Sequence, residues 1–243
     1  MTAGHRPWAV PDRPWVWRQS WLDVLFAHWP ISVETLRPLV PDALTIQEFD
    51  GTAWIGVVPF HMQNIAPRFV PALPWISVFP ELNVRTYVEM EGKPGVWFFS
   101  LDATNPLAVW AARRFFHLSY HRAEISFQSA RDQIEYRCRR LIRNGLSPRF
   151  EGNYGPTSSI NRAAPGGLDH WLTERYCLYA EAPDGKIYRS EVHHAPWPLQ
   201  QARAEIEANT MTEPLGIALS GPPATLHFGK RVDVILWSPE RLH

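Results

Sequence analysis

The chain has 243 residues, of which 45% are hydrophobic and 13% aromatic, with twelve tryptophans; that much apolar surface excludes disorder and supplies a sizeable core. Lysine plus arginine balances aspartate plus glutamate at 24 each, so no net field draws the protein to nucleic acid or to an anionic membrane, and neither is expected as a partner. No stretch approaches the ~18 uninterrupted apolar residues of a membrane span, and the N-terminal segment lacks an apolar signal core, which predicts neither export nor embedding.

Residues 1–13 carry Pro7 and Pro11 without periodicity and read as an extended arm that Trp8 pins down, ahead of a single domain over 14–243. Trp15 to Gln19 alternates as a short strand, and Trp21 to Phe26 is compact enough for a helical turn ending before Pro30. Ser32 is placed as the N-cap of a short helix through Leu39. The Asp50-Gly51 pair between 44–49 and 52–60 predicts a hairpin, because it supplies the positive φ angles of a two-residue turn. Residues 64–80 hold Pro67, Pro71, Pro74 and Pro80, which mark a long loop.

Leu82 to Met90 alternates strictly, with Leu82, Val84, Thr86 and Val88 on one face and Glu81, Asn83, Arg85 and Tyr87 on the other. A Lys93-Pro94-Gly95 turn leads to a strand over 96–101, and Asn105-Pro106 starts a helix whose expected buried stripe is Leu107, Trp110, Ala111 and Phe115. Strands over about 120–129 and 133–142 pair through 130–132, and 144–167 reads as an irregular surface crossing. A short helix over 168–172, strands over 174–182 and 187–194, a polar helix over 199–208 and a strand over 231–237 complete the chain. Many strands joined by hairpin turns with a few short helices predict a mainly β protein, a mostly antiparallel sheet curled into a barrel or pseudobarrel.

Several segments together resemble the YqjF-like bacterial family of unknown function, domain of unknown function 2071, within the acetoacetate decarboxylase-like superfamily. They are His28-Trp29-Pro30 to Pro41, Gly51 to Phe60, Glu81 to Val88, Leu172 to Tyr179 and His194-Ala195-Pro196-Trp197-Pro198-Leu199. The resemblance implies a pseudobarrel with a central cavity and implies no activity. The superfamily's named enzyme forms a Schiff base on a lysine whose pKa is lowered by an adjacent lysine. Only three of the 24 cationic residues here are lysines (Lys93, Lys186 and Lys230), and no two are adjacent. Lys93 and Lys186 are expected in solvated turns, so decarboxylation by that route is not expected.

The face Glu81, Asn83, Arg85 and Tyr87 is the leading site candidate: turned inward, an arginine fork beside an amide and a carboxyl holds a carboxylate- or carbonyl-bearing ligand, and turned outward it is a solvated surface. Glu174 and Arg175 join that cluster across the barrel or form a rim ion pair. One imidazole of His193-His194 is expected to face the core; an inward His194 is either a ligand group and general base or a structural histidine. His117, His121 and Glu124 have metal-ligand spacing on a helix, but the region reads as strand from His121, so no metal is expected. Arg131, Arg137, Arg139, Arg140 and Arg143 read as a solvated strand edge. Cys138 and Cys177 lie outside any ligand spacing and are expected as buried thiols in a reducing, cytoplasmic setting. The sequence thus supports a cofactor-free small-molecule-binding barrel, with an enzyme using a His or Glu proton carrier and a structural or interaction protein as alternatives.

Overall fold

The computed structural model describes residues 4–73 and 76–242. Its strands in chain order are β1 (Trp17–Ile31), β2 (Thr45–Ile46), β3 (Ala53–Pro67), β4 (Phe79–Met90), β5 (Lys93–Ala103), β6 (Tyr120–Ala130) and β7 (Gln133–Arg140). There follow β8 (Arg149–Pro156), β9 (Cys177–Glu181), β10 (Ile187–His194), β11 (Leu199–Asn209), β12 (Thr225–Leu236) and β13 (Glu240–Arg241). The α-helices are short: α1 (Val33–Leu36), α2 (Pro106–Phe116) and α3 (Leu168–Thr173). The protein is mainly β, as its alternating patterns predict.

All the strands belong to one sheet, and two extra pairings, β5 with β4 and β10 with β12, close it. The path β10–β9–β5–β4–β3–β1–β12 returns to β10 as a ring of hydrogen-bonded strands. Strands β6, β7, β8 and β11 leave β5 and rejoin at β12, making a second ring that shares β12, β1, β3, β4 and β5. The pairings are antiparallel except β5–β6 and β5–β9. Shared strands have a core on each side, so their two faces are both apolar. Leu82, Val84 and Val88 pack with Tyr136, Phe150 and Tyr154 in one cluster, whereas Val24, Phe26, Val58, Phe60 and Trp197 belong to another.

Local chemistry explains where elements match expectation. The Ser32 side chain accepts from Thr35 N, and Asn105 Oδ1 accepts from Leu107 N and Ala108 N, capping α1 and α2. Arg131 and Asp132 both have positive φ and turn β6 into β7. In the 4–13 segment, Arg6 and the Trp8 indole both bind the buried Glu191 carboxylate of β10 at 2.7 Å. Residues 1–3 of the expected arm lie outside the described residues.

Several expectations are corrected. The run Trp21–Phe26 is strand, not a helical turn: Asp23 takes φ 50°, a bulge that turns Trp17, Gln19 and Trp21 and then Val24 and Phe26 to the same side. That slip makes the apolar run look out of period with a strand. The Asp50-Gly51 turn forms, with Phe49 and Thr52 exchanging both backbone hydrogen bonds, but its arms diverge and β2 pairs with β4 instead of β3. The loop over 64–80 is shorter, because β3 reaches Pro67 and β4 begins at Phe79, with Pro80 inside it; Pro74 lies outside the described residues. The turn after β4 is Glu91-Gly92, both at positive φ, and Lys93–Gly95 already pairs with β4.

The supposed irregular crossing contains β8, whose Gly152 reads as a loop residue but is required by packing: a Cβ there would lie 2.8 Å from Glu205 O on β11. Residues 199–208 form a strand because Gln201, Arg203, Glu205 and Glu207 are exposed while Ala202, Ala204 and Ile206 pack inward, a two-residue period masked by helix-favouring residue types. On α2, Leu107, Trp110 and Phe115 are largely exposed, and Val109 is the buried residue. Arg140 leaves the supposed surface strip: it is buried, forking onto Asp102 at 2.7 and 2.8 Å.

Candidate functional site

Between β1, β3, β4 and β5, roofed by α2, lies a cavity of about 170 Å³. Its wall is mostly apolar; beyond Gln19, the Trp21 indole and the Tyr120 hydroxyl, its polar groups form one row. On β4 the side chains of Glu81, Asn83 and Arg85 all line it, spaced along the strand over about 13 Å. They are 2%, 5% and 9% exposed, because the first ring and α2 enclose the face they occupy, while the second ring covers the other face of β4.

Each polar group in the row is anomalous. Glu81 accepts a hydrogen bond from the Tyr120 hydroxyl at 2.7 Å, at the α2 end of the cavity. Burial pushes its carboxyl up to about 8; the Tyr120 bond opposes that shift and nearby Asp102 adds to it. Glu81 is therefore protonated at neutral pH. The Asn83 Oδ1 and the Trp21 Nε1, both buried, have no hydrogen-bond partner among the described residues. The Arg85 guanidinium lies 5.3 Å from the Phe26 ring centroid and 5.7 Å from that of Tyr87. Its Nη2 donates to Leu172 O at 3.5 Å, its Nε has no partner, and no ion pair to a carboxylate within 4.0 Å forms among the described residues. A buried cation without a counter-charge beside a neutral carboxylic acid leaves the row with a net positive charge at pH 7.

Tyr87 stands behind Arg85. Its hydroxyl donates to Leu172 O at 2.7 Å and so accepts from His28 Nε2–H at 2.6 Å. Burial, then Arg85 and His227, hold His28 far below the usual histidine range, in the neutral form. Gly56 makes room for this ring, since a Cβ there would meet His28 Cδ2 at 2.9 Å.

The remaining sequence candidates stand outside the cavity wall. Arg175 stacks 4.4 Å from the Trp171 ring and 4.8 Å from Tyr87, donating to Trp171 O and Gln47 Oε1. Burial lowers it to about 10, so it remains charged. Glu174 accepts from Trp197 N at 2.7 Å and from the Tyr176 hydroxyl, fixing the Trp197 ring that lines the cavity. The His194 Nδ1–H donates to Ala195 O at 2.7 Å, and its ring stacks on Tyr176. Both His193 and His194 are buried, because the 4–13 segment covers β10 and brings His5 against His193; burial drops His193 to about 4. The sequence offered no signal for Tyr120 as partner of Glu81, or for Asp102 beneath it. His28 sat inside a family string but had no visible partner.

No lysine is among the residues lining the cavity. Lys93 lies in β5, not in a turn, and pairs with Glu191 at 2.7 Å. Lys186 pairs with Asp184 at 2.9 Å and Lys230 with Asp23 at 2.8 Å. Burial alone would lower Lys230, but Asp23 and Asp132 outweigh it and hold it above its ordinary value. None is a free amine. Among the described residues, no group of three or more His, Cys, Asp or Glu is placed to hold a metal, and no helix is long and apolar enough to cross a membrane.

Solved structures share this fold at low identity. An acetoacetate decarboxylase from Legionella pneumophila superposes with a TM-score of 0.67 and 8% identity, covering 99% of this chain and 93% of that one. The enduracididine biosynthesis enzyme MppR complexed with pyruvate gives 0.64 and 11%, with the same coverage of 99% and 93%. An acetoacetate decarboxylase-like enzyme from Sphingomonas wittichii gives 0.64 and 13%, over 96% and 94%. Among curated proteins, the uncharacterized protein YqjF of Bacillus subtilis is 46% identical over 229 residues, 94% of this chain and 93% of that protein. A family profile described as an uncharacterized conserved protein spans residues 18–233. That span takes in β3, β4 and β5 whole and all of β1 but Trp17, and the chain belongs to the family called domain of unknown function 2071.

Proposed function

We propose that the cavity is a binding barrel's site for a small carboxylate- or carbonyl-bearing ligand. Arg85 takes the anionic end, Asn83 the middle, and protonated Glu81 donates a hydrogen bond at the far end. The observation that carries this reading is the Arg85 guanidinium: it lines a mostly apolar cavity, is 9% exposed, and has no carboxylate partner among the described residues. A buried charge without a partner is costly, and a ligand anion is the missing partner. Tyr87, Arg175, Glu174 and His194 form the shell that holds Arg85 and Trp197 in place. A cavity of about 170 Å³ bounds the ligand's size, since about 150 Å³ suffices for benzene in an engineered apolar cavity; one ring or a short chain bearing a carboxylate fits. One protein of like fold has been observed with pyruvate, a keto acid. The two free, buried cysteines accord with a reducing, cytoplasmic setting.

A second reading, a cofactor-free enzyme, is favoured by Glu81 itself. A carboxyl raised to about 8 inside a cavity is tuned to give and take a proton near neutral pH. The catalytic group would then be Glu81, not a Schiff-base lysine.

The test is a thermal-shift screen of aromatic, aliphatic and keto monocarboxylic acids on the wild type and Arg85→Ala. Acids that raise the wild-type melting temperature should lose that effect in the variant. Equal shifts in both proteins would remove Arg85 as anchor.

A further inference from the structure

The outer surface of the cavity roof is apolar and its border is cationic. Phe69, Leu73 and Ile76 project from the β3–β4 connection and Leu107, Trp110 and Phe115 from α2; these two stretches hold eight of the twelve exposed large apolar side chains among the described residues. They meet through the Asn105 side chain, which donates to Ile76 O at 3.0 Å, and the Trp110 and Phe115 rings lie 5.8 Å apart, edge to face. Phe69 is 89% exposed, at a backbone φ of 65°. Phe115 is both exposed and part of the cavity lining. Isolated apolar side chains on a surface need no explanation, but a contiguous group of this kind marks a contact.

The charges on the two stretches and at their border are mainly cationic, although Glu181 shares a surface groove with Arg113 and Asp233 shares one with Arg18. Arg18 binds Val70 O, Arg68 lies over the Phe69 ring, Arg114 lies over Phe115, and Arg113 follows on the same helix. None of the four forms an ion pair within 4.0 Å among the described residues. The two stretches carry no acid of their own: no Asp or Glu occurs between Asp50 and Glu81, or between Asp102 and Glu124. The zero net charge of the whole chain averages this face away.

We propose that this face docks on an anionic lipid surface. Phe69, Leu73 and Trp110 enter the headgroup boundary, where aromatic and aliphatic side chains are favoured, and the arginines pair with lipid phosphates. A second copy of the chain is the poorer occupant. In a two-fold contact the patch meets itself, and a mainly cationic rim meets the same rim. Docking in this orientation turns the α2 roof toward the bilayer and gives an apolar acid a route from lipid to Arg85. That last step rests on the reading of the cavity given above; the docking does not.

Co-sedimentation with vesicles tests it, using phosphatidylcholine alone and phosphatidylcholine with about 30% phosphatidylglycerol. The proteins are the wild type, Trp110→Ser, Leu73→Ser, the double variant Arg68→Ser with Arg114→Ser, and Arg85→Ala, each checked by circular dichroism. These positions are exposed apart from Arg68, which is half-buried, and Arg85. The wild type should sediment with the anionic vesicles and be released by salt. Each arginine replaced should weaken binding about fivefold, and either apolar variant should weaken it at least as much. Arg85→Ala should bind vesicles normally even where it loses acid binding, which separates failure of this proposal from failure of the ligand site. Absent or charge-independent vesicle binding would overturn the proposal. So would a wild-type dimer in sedimentation velocity that Trp110→Ser dissolves, which would assign the face to a second copy.

Discussion

Glu81→Gln should stabilise this protein at neutral pH, and by a calculable amount. The carboxyl is 2% exposed and raised from 4.5 to about 8. The unfolded chain releases that proton above about 4.5, whereas the folded chain keeps it until about 8. The stability associated with Glu81 is therefore complete below pH 4.5, falls across the interval, and is fully lost above pH 8. At pH 7 the loss is 2.5 pH units at 1.36 kcal/mol each, about 3 kcal/mol. Glutamine has the same shape, stays neutral, and keeps an oxygen for the Tyr120 hydroxyl. The variant should gain about 3 kcal/mol at pH 7, roughly 10 °C in melting temperature for a chain of this length, and gain nothing near pH 4. Urea unfolding of both proteins at a series of pH values from 4 to 8 measures it. A variant less stable than the wild type at pH 7, or a difference that does not change with pH, would show that Glu81 is not held protonated by burial.

Other outcomes follow from the same geometry. Affinity for monocarboxylic acids should decline as pH rises through about 8, where Glu81 ionises and offsets the Arg85 charge, while Glu81→Gln should show a flat profile by calorimetry. Arg140→Met strands the fully buried Asp102 carboxylate, and unfolding free energies should drop by about 3–5 kcal/mol; adding Asp102→Leu should recover most of that, and no recovery would refute the buried-charge account. Asn105→Ala removes the α2 cap and should cost about 1 kcal/mol in denaturant titration, with faster amide exchange confined to residues 106–116.

How far the sequence could be read is clearest on β4 and β1. On β4 strict alternation put Glu81, Asn83 and Arg85 on one face, as the structure has them. On β1 the same logic failed at Asp23, because a bulge adds one residue and reverses the faces, and a bulge has no apolar period of its own. On β11 the period-two pattern was present, but alanine, glutamate and arginine mimic a helix; only pairing with β8 and β12 decides between them. Lys93 was misplaced because Glu91-Gly92 forms the turn instead of Pro94-Gly95, a choice made by the β4–β5 register.

Residue order by itself determined the mainly β character, the caps of α1 and α2, the absence of a paired-lysine motif, and which side chains of β4 share a face, since all of these depend on neighbours within a few positions. What covers each face was decided by closure of the sheet. The β5–β9, β10–β12 and β1–β12 pairings join residues far apart in the chain, and only that closure shields the Glu81–Arg85 row from water. Shielding makes the carboxyl neutral and leaves the guanidinium without a carboxylate partner among the described residues, so the chemistry of the site is a property of the closed sheet and not of the strand that carries it.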